Sequence, residues 1–213
     1  MKFKNPTLVI LFVVSIALQS CKGDLSIDNV LDNKPTTSKL AGSKHILNED
    51  GIQILLPENF KRISIPDYTA ILNDKKNEKM FPIERLQLEN SRALDGNNYM
   101  FFSKENNATY FVNSIPFSEV KKEDAQKLLG IIRQNQKKAS EVTDVVFEKI
   151  TAKYKAVAGA QIFKAVFKAD FEKSKKTNYQ HTYYISSKDK SVLLSLVTPE
   201  EINFDPYIEK MTF

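Results

Sequence analysis

Catalysis needs a nucleophile, an acid–base pair or a set of metal ligands at workable spacing, and this chain offers few of them. His45 and His181 are the only histidines, and Cys21 the only cysteine, among 213 residues. A zinc site would need both histidines plus carboxylates, and neither HExxH nor His-x-His spacing is present. His181 lies in the run Tyr179-Gln180-His181-Thr182-Tyr183-Tyr184 and reads as a sheet residue between tyrosines rather than as a ligand or base. No serine stands in a GxSxG context, and the six glycines form neither a phosphate-binding loop nor a dinucleotide fingerprint. The carboxylate pairs Glu123/Asp124 and Glu200/Glu201 read as a helix start and a strand end, where acidic residues cap or face solvent. The sequence therefore predicts no catalytic residue, no metal and no cofactor.

Two groups of side chains suit recognition instead. Lys149, Lys153, Lys155, Lys164, Lys168, Lys173, Lys175 and Lys176 spread over two adjoining predicted strands and their turn. On one face they could meet an anionic glycan, lipid headgroups or an acidic partner, although a solvated sheet face explains them more simply. The neighbouring run supplies Tyr179, His181, Tyr183 and Tyr184, and tyrosine combines contact area with a polar tip; ordinary strand preference accounts for them equally well. Lys149, Lys153, Lys164, Lys168, Tyr179, His181 and Tyr183 are the candidate binding surface.

Cys21 belongs to a different pattern. Lys2 and Lys4 precede the run LVILFVVSIAL, Leu8 to Leu18, which is apolar apart from Ser15. Such a run falls short of the ~20 residues that span a hydrocarbon core and has the layout of a secretory signal. It ends in Leu18-Gln19-Ser20-Cys21. This resembles the lipobox of bacterial lipoproteins, in the looser form found in the Bacteroidetes, with Gln19 the departure from the strict pattern. The resemblance implies cleavage before Cys21, a diacylglyceryl thioether on its sulfur and acylation of the new amino terminus. Two or three acyl chains hold a protein to a membrane far better than one, at ~0.8 kcal/mol per buried methylene. Lys22 is not the aspartate that such families associate with inner-membrane retention, so the resemblance favours the outer membrane. With one cysteine, no intramolecular disulfide can form.

Residues 1–20 are thus the expected signal, 21–46 a lipidated cysteine and flexible tether, and 47–213 a single α+β domain. The tether is rich in Asp, Asn, Ser, Thr and Lys, with Pro35 and no sustained apolar period; Leu25, Ile27, Val30 and Leu31 could instead make a short docking segment. Without Lys2 and Lys4 the 31 basic residues fall to 29 against 26 acidic ones, a net of +3. That balance is too mild to imply nucleic acid.

The domain reads as an antiparallel sheet, a hairpin plus a four-strand meander, packed against one long helix and a C-terminal helix. Gly51 to Pro57 alternates as a first strand, short helices follow at Pro66 to Lys75 and after Pro82, and Tyr99 to Ser103 with Ala108 to Ser114 makes the hairpin. Ser118 to Glu141 has the strongest helical period, through Ala125, Leu128, Leu129 and Ile132, with Ser118 as cap. Four strands follow at Val145 to Lys155, Gln161 to Phe171, Tyr179 to Ser186 and Ser191 to Thr198, the second with Phe163, Ala165, Phe167, Ala169 and Phe171 on one face. Phe204 to Met211 closes the chain as a helix, with Asp205 as cap and Pro206 at its start. This order, with the opening phrase Leu56-Pro57-Glu58-Asn59-Phe60, resembles the Mog1/PsbP-like α+β fold. The resemblance implies an accessory, assembly or binding protein and carries no catalytic motif.

The favoured expectation is a non-enzymatic, lipid-anchored module of the bacterial envelope that works through an envelope protein. A periplasmic immunity or inhibitor lipoprotein against a toxin is one alternative. An envelope hydrolase with a carboxylate site is another, and it would need Asp, Glu and His181 to converge in a deep pocket.

Overall fold

Short runs of alternating apolar and polar residues make strands of much of this chain. The structure is a computed structural model, described over residues 40–74, 81–157 and 159–213. The expected signal 1–20, Cys21, the tether up to residue 39, Lys75 and Ala158 lie outside the described residues. In chain order the elements are β1 (Ser43–Leu47), β2 (Ile52–Leu56), β3 (Lys61–Ile63), α1 (Ile65–Asn73), α2 (Pro82–Arg92), β4 (Asn97–Ser103) and β5 (Ala108–Ile115). Then come α3 (Asp124–Val142), β6 (Val145–Val157), β7 (Ala160–Phe171), β8 (Lys176–Ser187), β9 (Lys190–Thr198) and α4 (Asp205–Ile208).

β1 and β2 pair as a separate antiparallel hairpin, and the other seven strands form one sheet in the order β3-β4-β5-β9-β8-β7-β6. Every neighbouring pair in that sheet is antiparallel. The expected hairpin is β4–β5 and the expected meander is β6 to β9. What joins them is β9, which pairs with β5 from Thr109↔Val197 to Ile115↔Ser191.

Both faces of the sheet are covered. On one, Tyr99, Phe101, Tyr110, Val112, Leu194 and Leu196 pack with Leu47, Ile52, Ile54 and Leu56 of the hairpin and with Phe204, Ile208 and Met211 of the C-terminal segment. On the other, α1 and α2 cover Met100 and Phe111 through Tyr68, Leu72 and Leu88, while α3 sets Leu129 against Phe163, Ala165 and Phe167. Helices, sheet and hairpin are thus three layers, with an apolar core on each side of the sheet.

Local signals explain the helix starts. Ser64 caps α1, its Oγ accepting from the Asp67 N–H at 3.2 Å, and Pro66 stands in the first turn. Pro82 opens α2. Gly96 turns the chain into β4 at φ +100°, where a Cβ would lie 1.9 Å from the Ser114 carbonyl oxygen, so the position admits only glycine.

Four expectations are corrected. The folded region begins before residue 47, because Ser43 to Ile46, assigned to the tether, belong to β1. Its polar residues pair across to β2, a partner that a polar stretch does not announce. β3, a three-residue edge strand against β4, was not foreseen. α3 starts at Asp124 rather than at Ser118, whose N–H donates to Ser191 Oγ and whose carbonyl accepts from it, each at 2.9 Å. The closing helix is only the four residues of α4, because the chain then leaves it to bridge Thr212 to Gln53.

Gly130 is exposed in the middle of α3, with no atom within 4 Å of where a Cβ would sit. Gly130→Ala should therefore stabilise the protein by about 1 kcal/mol, the helix-propensity difference, read as a higher urea midpoint at unchanged slope.

Candidate binding cleft

The helical spacing of α2 puts Ile83, Gln87, Asn90 and Ser91 on one stripe, and that of α3 does the same for Leu128, Ile132, Asn135, Gln136 and Ala139. Both stripes face the sheet, and between them lies a cleft of about 250 Å³. Its floor comes from residues of one parity: Phe111, Asn113 and Ile115 of β5, Leu193 and Ser195 of β9, and Gln180, Thr182 and Tyr184 of β8. None of the described side chains lining it is charged. Ile131, 47 % exposed, stands among its lining residues on α3.

The polarity of the cleft resides in amides and hydroxyls. Asn113 Nδ2 donates to Ser91 Oγ at 2.6 Å, and Gln136 Nε2 to Gln180 Oε1 at 3.1 Å. Gln87 is the exception: it is only 9 % exposed, and neither Oε1 nor Nε2 has a hydrogen-bond partner among the described residues. A buried polar group left in that state costs about 1–3 kcal/mol. Ser91, Ser195 and Thr182 have no histidine or carboxylate among the described lining residues to act as base. The cleft offers apolar area and neutral hydrogen bonds.

Sequence reasoning missed this site. A signal was present, since Gln87 and Asn90 interrupt the apolar stripe of α2, as Asn135 and Gln136 interrupt that of α3, at positions that face inward. Only the packing of both stripes over the same strands shows that the interruptions share one space.

The strand-borne candidates fall elsewhere, on the opposite face. Pairing aligns Lys153↔Lys164, Lys164↔Tyr183, Val166↔His181 and Lys168↔Tyr179, which puts Lys153, Lys164, Lys168, Tyr179, His181 and Tyr183 on one side of the sheet. Lys149 is not with them. A β-bulge between Lys149 and Thr151 reverses the alternation, and Lys149 joins Arg133 and Lys137 in a shallow groove beside α3.

Two of the six aligned residues, Lys164 and Tyr183, meet Asp205 in an internal cluster. Lys164 Nζ donates to Asp205 Oδ2 at 2.6 Å, and the fully buried Tyr183 hydroxyl donates to Asp205 Oδ1 at 2.7 Å. Asp205, expected as a helix cap, is itself 1 % exposed. Burial, and then the Asp205 carboxylate, raises the Tyr183 hydroxyl well above its ordinary pKa, which keeps it protonated as the donor. His181 is buried with both ring nitrogens unpartnered among the described residues. Lys168 makes an ion pair with Asp170 at 2.8 Å on the surface. Lys153 is exposed and Tyr179 half-buried. His45 packs its ring on Phe101, with centroids 4.7 Å apart. Among the described residues no three of His, Cys, Asp and Glu come together as metal ligands, and no helix is long and apolar enough to cross a membrane.

The fold has a counterpart among solved structures. The solution structure of cyanobacterial PsbP (CyanoP) from Synechocystis sp. PCC 6803 matches with a TM-score of 0.53 at 12 % identity, covering 84 % of this chain and 97 % of that one. The chain has the PsbP-like fold. The crystal structure of the Saccharomyces cerevisiae Ran-binding protein Mog1p gives a TM-score of 0.44 at 10 % identity, over 76 % of this chain and 79 % of that one. No protein-family model matches the sequence, and no curated protein matches it significantly. The PsbP-like match agrees with the fold that the order of elements implied.

Two buried groups give the fold opposite pH dependences. Burial, reinforced by the Lys164 charge, lowers the His181 pKa to about 4. The fold favours neutral imidazole, so this stability is full above about pH 6.5 and is lost as pH falls towards 4, by roughly 3 kcal/mol. Glu84 on α2, fully buried, is pushed up to about 8. The fold favours the protonated acid, so its contribution is full below about pH 4.5 and is lost as pH rises through 8. Urea melts at successive pH values should show these effects partly cancelling between 4.5 and 6.5 in the wild type. His181→Leu should steepen the loss of stability with rising pH, and Glu84→Gln should leave a net gain over that interval. A wild-type profile reproduced by both variants would refute the assignment.

Proposed function

We propose that this chain is a non-enzymatic accessory protein of a bacterial envelope, tethered to the membrane, the outer membrane in particular, by a lipidated Cys21, with the α2–α3 cleft as its binding site. The single observation that carries the binding reading is the cleft itself. Among the described residues it is a concave space with an uncharged lining, built on a continuous sheet and holding a buried amide with no partner, which is the character of a ligand site. In this reading the ligand or an envelope protein that presents it is the partner, and nucleic acid is not. The fold by itself supports an accessory or binding role only in general terms. The address rests on Leu18-Gln19-Ser20-Cys21 and the apolar run before it.

Each half has its own test. Intact mass of the native protein should show cleavage before Cys21 with added acyl chains, and Cys21→Ser should move the protein from the membrane to the soluble fraction; an unmodified, soluble wild type refutes the anchor. The Cys21→Ser chain should bind the neutral apolar fluorophore N-phenyl-1-naphthylamine saturably. Ile132→Trp, which fills the cleft from α3, should abolish that binding without lowering the melting temperature by more than a few degrees. Unaltered fluorophore binding in this variant would remove the cleft as the site.

A further inference from the structure

Gln87 singles out what the cleft would hold. This inference rests on the cleft being the binding site. The other buried amides of the lining are paired, Asn113 with Ser91 and Gln136 with Gln180, so the local fold can satisfy such groups. Among the buried amides of the lining, Gln87 alone has neither its donor nor its acceptor met by another described residue, at 9 % exposure. A ligand group that meets both must itself donate and accept, which a primary amide or a hydroxyl does and an ionised carboxylate or ammonium does not.

Charge points the same way. None of the described lining residues is charged, so a carboxylate or ammonium entering the cleft would shed water with no counter-ion to replace it. Apolar side chains of α3 and β9, Leu128, Ile132 and Leu193, stand along the same space. We propose that the cleft takes an uncharged amphiphile, with an apolar chain against Leu128, Ile132 and Leu193 and an amide or hydroxyl head on the Gln87 side chain. A fatty amide and a fatty alcohol or glyceride share this chemistry.

The test is an NMR titration of the full-chain Cys21→Ser protein at pH 7 with decanamide, 1-decanol and decanoate, following the Gln87 side-chain amide and the Leu128 and Leu193 methyl signals. Decanamide and 1-decanol should shift all three sets and saturate, and their order tells which head the site favours. Decanoate should bind at least about tenfold more weakly than the better of them. Gln87→Leu should weaken that better ligand by about tenfold while N-phenyl-1-naphthylamine binding stays within about twofold; Gln87→Met replaces it if the leucine variant does not fold. Equal affinity for decanoate, or an unchanged affinity in the Gln87 variant, overturns this inference alone, provided the fluorophore still binds. Failure of both the fluorophore and the amphiphiles removes the cleft reading as well. Cleft signals that move with protein concentration, or nuclear Overhauser contacts from Leu128 to Ile27 or Leu31, would identify the occupant as a second copy or the chain's own N-terminal segment and also overturn it.

Discussion

The pairing of β9 with β5 holds the molecule together. Without it the chain would be a hairpin and a meander, each with an open edge exposing unpaired backbone groups. With it, seven strands share one continuous ladder, and the edges fall to β3 and β6. The same pairing brings Leu193 and Ser195 of β9 beside Asn113 of β5, and so lays the floor of the cleft. It also presents Leu194 and Leu196 to the opposite core, where the β1–β2 hairpin and the C-terminal segment close over them.

A sheet covered on both sides must resolve its polar residues internally, and the two faces do this differently. On the hairpin face the C-terminal segment carries Asp205 into the interior, where Lys164 and Tyr183 meet both of its oxygens. Breaking such a pair strands a buried charge, whereas an apolar replacement of the whole cluster could be neutral, so its evident role is to locate the C-terminal segment. Along the cleft on the helix face, amides and hydroxyls do the equivalent work, except at Gln87. Among the described residues, the buried amide of Gln87 in the cleft is thus left unmet, at a cost that packing alone does not justify. Functional sites are where such local conflicts accumulate.

The strand signals of this sequence are unusually legible because β6 to β9 alternate over long runs with turn residues between them, and the fold class, the meander, the β4–β5 hairpin and α3 all follow. Legibility fails where an element owes its existence to a partner. β1 is polar in Ser43, Lys44 and His45 and becomes a strand only against β2. Ser118 has every local mark of a helix cap, yet its backbone is claimed by Ser191 from the far end of the chain. Three of the lysine and tyrosine candidates depart from a shared surface for a related reason: a single bulged residue moved Lys149 to the other face, and burial turned Tyr183 and His181 inward.

Local chemistry by itself thus determined the alternation and capping patterns that decide which stretches become strands or helices. These depend on neighbours within a few residues, which the sequence displays directly. Only the tertiary structure decided that β9 joins β5, that Asp205 is buried under the meander, and that the amides of α2 and α3 look into one space. Those outcomes depend on which distant surfaces bury each other, and a polar residue at an inward helical position becomes part of a site only when a second element closes over it.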